Sequence, residues 1–387
     1  MLKIQRLLVP SSQAVSSGSN FAISAYAIIS FDHSDFLKWC IFSVSTLALQ
    51  GSLRNIFLES EFSVYGTVRK KNLQICIIVS LFFVIGLVFA CNSILSLQFS
   101  ATDVFLSMYC FSLLLVDSLR YKYLKFKPKL TLFADLAIFL MACLLLIAHF
   151  GSIHLGVNEA LSSMIGVQIG SVAFLLFFGN NSLIEVSKNQ DFYSEKFLGL
   201  QSLINLICMV SANFILVRFL SVEQLREFRS IQLFVSPLQS LTLIFWLRSL
   251  YGYQENSVNR LWMEFMSRLK MGTVITTFTI AGIGFMQIYS DLSLEQLTAA
   301  FLAFAIVMTN VVCMPLNLIL RKLNLYKSMA YLSAGFSLMT PLLFLIFREN
   351  LSLIQVFAVP LILQTSLFIC FLRIIRVMRD SETESML

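Results

Sequence analysis

The chain has 387 residues, of which 58% are hydrophobic and only 13% charged, and its net charge is +7. A water-soluble globule of this size needs more polar surface than that, so the composition excludes one. It also excludes a transmembrane β-barrel, which would show short alternating segments rather than continuous apolar runs such as Ile75 to Phe89.

A hydrocarbon core about 30 Å thick takes roughly 20 helical residues to cross. Twelve stretches meet that requirement: 14–31, 37–57, 73–95, 102–119, 130–150, 159–179, 197–219, 229–250, 271–290, 297–320, 328–347 and 351–372. The expected fold class is therefore an all-α polytopic membrane protein with 12 transmembrane helices. The first span follows Ser11-Ser12-Gln13 with no small-residue cleavage site behind it, so it reads as a retained helix rather than a signal peptide.

Span one carries Gln13, Ser16, Ser17, Asn20 and Ser24 at a spacing that puts them on one helical face. Span two repeats the pattern with Ser43, Thr46, Gln50 and Arg54. Arg54 lies about a turn inside the end of its span, and two readings of it stay open. It either snorkels to the interface or pairs with Glu59 and Glu61, or its planar fork binds an anion such as phosphate. Asp117, near the end of span four, is expected at the interface, paired with Arg120. Asp135 in span five is the carboxylate placed well inside a span. It is either a salt-bridged structural group or an ion-coupling site for a proton or sodium.

The loop at 180–196 divides the twelve spans into six and six. That gives an N-terminal lobe, 1–187, and a C-terminal lobe, 188–387, expected to enclose a central cavity as in two-repeat secondary transporters. The second half opens like the first. Span seven has Gln201, Ser202, Asn205 and Cys208; span eight has Arg229, Gln232, Ser236, Gln239 and Ser240, broken by Pro237. Glu223 and Glu227 are close enough in sequence to neutralise Arg229. Any single Ser or Thr of this kind serves readily as a hydrogen bond between helices, worth about 1 kcal/mol or less. Four stripes in matching positions of the two halves favour a polar cavity, because polar groups facing lipid are costly. Pro315 in span ten and Pro341 in span eleven read as structural kinks.

The positive charge follows the loops. With the amino terminus inside, 22 of the Lys and Arg residues fall on the inner side and five on the outer (Lys38, Arg218, Arg226, Arg229 and Arg348), with Arg54 within a span. This asymmetry is the positive-inside pattern, and it puts both termini in the cytoplasm. It also explains the basic balance without nucleic acid. The eight cysteines all lie in hydrophobic segments without a CxxC pair, and the three histidines are scattered, so neither a metal nor a cofactor is expected. No phosphate-cradling GxxxxGK[ST] occurs, and no outer loop is long enough to present the catalytic residues of a polymerase or ligase. The chain is not expected to be an enzyme.

Three segments resemble a known family. Gln13-Ala14-Val15-Ser16-Ser17-Gly18-Ser19-Asn20-Phe21 is similar to the first-helix signature of O-antigen and polysaccharide flippases, in the multidrug/oligosaccharidyl-lipid/polysaccharide exporter superfamily. Leu49-Gln50-Gly51-Ser52-Leu53-Arg54 resembles the second helix of that family, and Phe228-Arg229-Ser230-Ile231-Gln232 with Ser236-Pro237-Leu238 the eighth. The turns Phe31-Asp32-His33-Ser34-Asp35-Phe36 and Leu220-Ser221-Val222-Glu223-Gln224-Leu225 depart from the family pattern in lacking Gly and Pro. The resemblance implies a flippase of the bacterial cytoplasmic (inner) membrane that moves a polyprenyl-diphosphate-linked oligosaccharide by alternating access. Its partners would be that lipid-linked substrate, membrane lipids, and the polymerase and chain-length machinery of surface polysaccharide synthesis. The cavity residues would be Arg54, Arg229, Gln50, Asn20, Gln232 and Gln239. Two rivals remain: a multidrug or cation antiporter of the same fold, and a membrane-embedded polymerase or ligase.

The basic asymmetry is directly testable. Reporter fusions after Lys129 and Lys270 should report the cytoplasm and fusions near Gly151 and Asp291 the outside; inversion at any two of these sites would break the six-plus-six arrangement.

Overall fold

A computed structural model of the chain describes residues 2–54, 56, 70–95, 99–124, 127–153, 155–179, 193–233, 235, 258–270, 293–323 and 325–385. Every regular element among them is helical. They are α1 (Leu2–Ser30), α2 (His33–Leu53), α3 (Lys70–Leu95), α4 (Ala101–Tyr123), α5 (Pro128–Phe150), α6 (Val157–Gly179) and α7 (Tyr193–Phe219). After these come α8 (222–233) and α9 (258–270), then α10 (Leu294–Lys322), α11 (Tyr326–Ile346) and α12 (Leu353–Ser385). Nine of the described helices are long and apolar enough to cross a membrane. The 29-residue α1 covers the first expected span. The expected span 271–290 and most of 229–250 lie outside the described residues.

Local sequence explains where the helices start. Asp32 caps α2 by accepting from the Asp35 backbone N–H at 2.8 Å, and Pro128 occupies the first turn of α5, where its missing N–H is no loss. Three Ser-x-x-Gln runs act as reciprocal capping boxes: Ser221–Gln224 before α8, Ser293–Gln296 before α10 and Ser352–Gln355 before α12. The turn from 220 to 225, which lacks Pro and Gly, is thus fixed by a side-chain cap instead.

The chain forms two compact units. One comprises Met1–Asp191 with Met209–Arg226, the other Phe192–Cys208 with Glu227–Leu387. The first is organised around α1 against α5, α4 against α6, and α2 against α4. The α4–α6 contact is close: a Cβ on Gly179 would meet the phenol end of Tyr123, which would have to move aside to admit a larger residue. The segment 209–226 is held by side chains that satisfy carbonyl oxygens. Asn213 donates to Cys40 O at 3.1 Å, and Arg226 donates to Phe31 O at 2.7 Å and to Ile28 O. The latter two carbonyls belong to the end of α1, where no intrahelical donor remains. The second unit packs α10 against α12 and α11 against α12. Large apolar side chains such as Phe82 (70% exposed) and Phe177 (81%) cover its lipid-facing counterpart in the first unit, as expected of a surface that meets hydrocarbon rather than water.

One expectation about charge needs correction. Lys38, counted with the outer loops, is 2% exposed inside α2 and pairs with Asp103 at 2.9 Å, while donating to Ser100 at 2.8 Å. Position alone, near the start of a span, does not reveal that α4 supplies a carboxylate to receive it. A buried ion whose partner is removed costs about 3–5 kcal/mol, whereas replacing both partners by apolar groups is often neutral. Lys38→Met and Asp103→Leu should each lower the thermal unfolding midpoint in detergent, and the double variant should recover most of the loss. A double variant no better than the worse single one would show that the pair is not coupled.

Candidate functional site

The polar stripes of α1 and α2 turn inward within the first unit and meet α4, α5 and α6. The cleft they form is lined by Asn20, Gln50, Tyr109, Arg120, Asp135 and Gln168, with Asp117 beside them, and holds about 390 Å³ including its open mouth. Asn20 comes from α1 and Gln50 from α2, each one residue in a run of side chains on a single helical face. Gln168 of α6 is fully buried and hydrogen-bonded to Ser112 of α4.

Beneath the amides runs a chain of charges. Arg54 grips Asp117 in bidentate fashion, with Nε donating to Oδ2 at 2.9 Å and Nη2 to Oδ1, and its guanidinium lies 5.4 Å from the Tyr121 ring centroid. Asp117 is 3.8 Å from Nη1 of Arg120 one turn along α4. Arg120 Nε reaches Asp135 Oδ2 on α5 at 3.0 Å. Ser12 of α1 closes the end of the chain: its hydroxyl donates to Asp135 and accepts from Arg120 Nη2 at 3.2 Å. Two arginines and two aspartates from α2, α4 and α5 therefore neutralise one another, with α1 adding the Ser12 hydroxyl. Arg120, Asp117 and Asp135 are each at most 5% exposed. Such burial is tolerable only because every charge has an opposite charge and a hydrogen bond.

Of the residues singled out by sequence, the structure brings together Asn20, Gln50, Asp135 and, through Asp117, Arg54. Arg54 pairs with Asp117, a carboxylate that neither reading named; Glu59 and Glu61 lie outside the described residues. Asp117 does pair with Arg120, as its spacing suggests, and it is buried within the unit and shared with Arg54. Asp135 is salt-bridged. In the second unit Arg229 donates to Gln232 Oε1 at 2.7 Å and lies over the Phe228 ring; Gln239 lies outside the described residues. Nearby, Ser337 of α11 donates to Asn205 of α7 at 2.7 Å, tying the stripe of α7 to its neighbour.

The sequence pointed to Arg120 only as a partner of Asp117, and gave no sign of its contact with Asp135 or of Ser12 and Gln168 in the site. Arg120 was counted with a basic inner loop because Lys122, Lys125, Lys127 and Lys129 follow it, yet α4 continues through it. Its signal was the Asp117–Arg120 spacing together with Asp135. Two donors on residues lining the cleft, Nη1 of Arg120 and the amide nitrogen of Gln168, have no hydrogen-bond acceptor among the described residues. No cluster of metal-ligating side chains occurs among the described residues.

No protein-family profile and no curated protein matches the sequence. By fold, the chain is similar to several solved membrane transporters. A multidrug resistance MATE family transporter of the MOP superfamily, in an inward-facing conformation, aligns with a TM-score of 0.60 at 12% identity, over 97% of this chain and 99% of that one. A MATE protein in a bent conformation gives 0.61 at 12% identity over 98% and 94% of the two chains. A eukaryotic MATE transporter gives 0.62 at 14% identity over 96% and 95%. The protein is thus an all-helical, multi-pass membrane protein with the fold of the MATE transporters.

The charge chain makes an ordering testable. Arg120→Met strands the buried Asp135 carboxylate, leaving it only the Ser12 hydroxyl while Asp117 keeps Arg54, whereas Asp135→Asn leaves Arg120 with Asp117 and Ser12. Arg120→Met should therefore destabilise the protein more, by about 3 kcal/mol or more, with the asparagine variant closer to 1 kcal/mol. Detergent unfolding midpoints in the reverse order would show that Asp135, not Arg120, anchors the network.

Proposed function

We propose that the chain is a flippase that moves a polyprenyl-diphosphate-linked oligosaccharide across the bacterial cytoplasmic membrane by alternating access, for surface-polysaccharide synthesis. The observation that carries this reading is the character of the cleft: amide-lined and neutral. Asn20, Gln50 and Gln168 offer both donors and acceptors, as sugar hydroxyls require, and two arginines cancel the two carboxylates. The unsatisfied donors of Arg120 and Gln168 suit oxygen-rich cargo. A cation-exporting site would instead favour a surplus of buried negative charge. The cleft would have to open to take up part of an oligosaccharide during alternating access, while the polyprenyl tail stays in lipid. No bond is made or broken in this scheme, so no catalytic residue is assigned. Arg229, Gln232 and Gln239 would serve the same cargo from the second half, with Arg54 nearest its diphosphate.

A second reading, a multidrug or cation antiporter, is favoured by one observation: Asp117 and Asp135 both border the cleft, and the structural neighbours include a multidrug resistance transporter. In that case Asp135 would be the coupling carboxylate. No observation favours a polymerase or ligase.

The two readings separate on three variants, assayed for lipid-linked oligosaccharide flipping in vesicles and for surface glycan in cells. Arg54→Ala should reduce flipping about ten- to a hundredfold, the loss expected for one charge-assisted hydrogen bond to cargo. Arg54→Ala/Asp117→Asn removes both the stranded carboxylate and the cation, and it should stay as inactive as the single variant. If the double variant regains export, Arg54 is a structural partner of Asp117 and not a cargo ligand. Asp135→Asn should slow flipping only modestly. Loss of all transport in Asp135→Asn at normal expression, with a proton or sodium gradient alone driving the wild type, would establish the antiporter instead.

A further inference from the structure

The second unit carries at one end a surface with different chemistry from the cleft. An apolar cluster joins Leu261 and Phe265 of α9 to Leu316, Ile319 and Leu320 of α10, Met329 of α11, and Phe371 and Ile375 of α12. It fixes four helix segments side by side, so the residues flanking the cluster share one end of the unit. Those flanking residues are basic. Arg260 and Lys270 of α9, Lys327 of α11, and Arg373 and Arg376 of α12 are all exposed. Glu264 is turned onto the buried Arg268 of its own helix, and the further acids of α12, Asp380, Glu382 and Glu384, follow Arg376 in sequence.

The exposed face of α9 is not simply a solvated charged face. Leu261, Phe265 and Arg268 face the unit, while Met263 (65% exposed) and Met266 (41%) stand outward between Arg260 and Lys270. Trp262 packs on Phe265, with ring centroids 5.3 Å apart. On α11 the exposed Tyr331 stacks on Phe197 and lies 5.9 Å below Lys327 Nζ. Apolar residues outward, aromatic rings at the margin and cations at the rim are what a protein presents to the headgroup layer of a bilayer. Cations held there attract anionic headgroups, each contributing a fraction that falls off within a Debye length.

We infer that this end of the second unit is a binding surface for acidic phospholipid headgroups, built by α9 and the adjoining ends of α10, α11 and α12. The cations are spread over three helices rather than converging on one point. That arrangement suits several neighbouring lipid headgroups better than a single cargo diphosphate. The inference goes beyond the flippase reading, since it holds for any cargo.

The test uses the full-length protein in vesicles of zwitterionic lipid with spin-labelled acidic or spin-labelled zwitterionic phospholipid, reading the immobilised fraction of each. The wild type should immobilise the acidic lipid preferentially, and rising salt should weaken the preference. Lys327→Gln, Arg373→Gln and Arg376→Gln should each lower the preference about fivefold, and together abolish most of it. All three side chains are exposed, so helical content and the unfolding midpoint should hold. A control at the exposed Arg348→Gln, flanking the far end of α11, should leave the preference unchanged. Equal immobilisation of the two lipids by the wild type, or an equal loss from Arg348→Gln, would overturn the proposal. So would displacement of the acidic lipid by stoichiometric polyprenyl diphosphate, which would make the surface a cargo-capture site. None of these outcomes depends on transport, so the flippase reading stands or falls separately.

Discussion

An ion inside a hydrocarbon layer has to be neutralised on the spot, and the first unit is arranged around that constraint. Arg120 is the centre of it. At 2% exposure its guanidinium has no water to turn to, and it is held by Asp135, Asp117 and Ser12, which come from three different helices. Because the desolvation cost of each ion exceeds what one contact returns, the partners must all be present together. The consequence is mechanical as well as electrostatic. Helices α1, α2, α4 and α5 are tied to a common set of charges, and one of them moving alone would strand an ion. The Lys38–Asp103 pair does the same for α2 and α4 at a second level.

This constraint shapes what the cleft can offer a cargo. The carboxylates that would make it cationophilic are already committed to arginines, and what remains at the surface is amide and hydroxyl. Fixed, neutral, hydrogen-bonding walls suit a large polyol: each sugar oxygen exchanges water for a protein partner at little net gain, and none is gripped so hard that release is slow. The charges can still act on an anionic cargo. A diphosphate approaching Arg54 competes with Asp117 for the same guanidinium, so binding and reorganisation of the charge chain are coupled in the proposed cycle. Strength and reversibility then come from the same residues.

The sequence made the helical class and most of the helix positions legible, because apolar runs of membrane length have few other uses. Nine helices of that length are found where they were expected, with ends displaced by a few residues where a cap decides, as at Ser293 and Ser352. The inward stripes of α1 and α2 were legible too, from the three-to-four spacing of Asn20 and Gln50 within their faces. The ion pairs were legible only in part: Asp117–Arg120 follows from its spacing, whereas Arg54–Asp117, Arg120–Asp135 and Lys38–Asp103 do not. Arg120 and Lys38 sit at the margins of their spans, where a basic residue ordinarily signals topology. Only the tertiary fold shows that Asp135, fifteen positions later, and Asp103, sixty-five positions later, lie against them. Gln168 gives little warning, because α6 carries only Ser171 beside it on the same buried face and no stripe like those of α1 and α2.

The same kind of residue thus has two meanings in this chain, and burial decides between them. In the first unit, cations near span ends are drawn inward by carboxylates and become structural. In the second, Lys327, Arg373 and Arg376 are exposed and meet no such partner among the described residues. A cation that finds a buried carboxylate ties helices together; one that does not is left to the headgroup layer, where it attracts anionic lipid at no desolvation cost. One half of the protein uses its positive charge to hold a polar interior, and the other to hold the membrane around it.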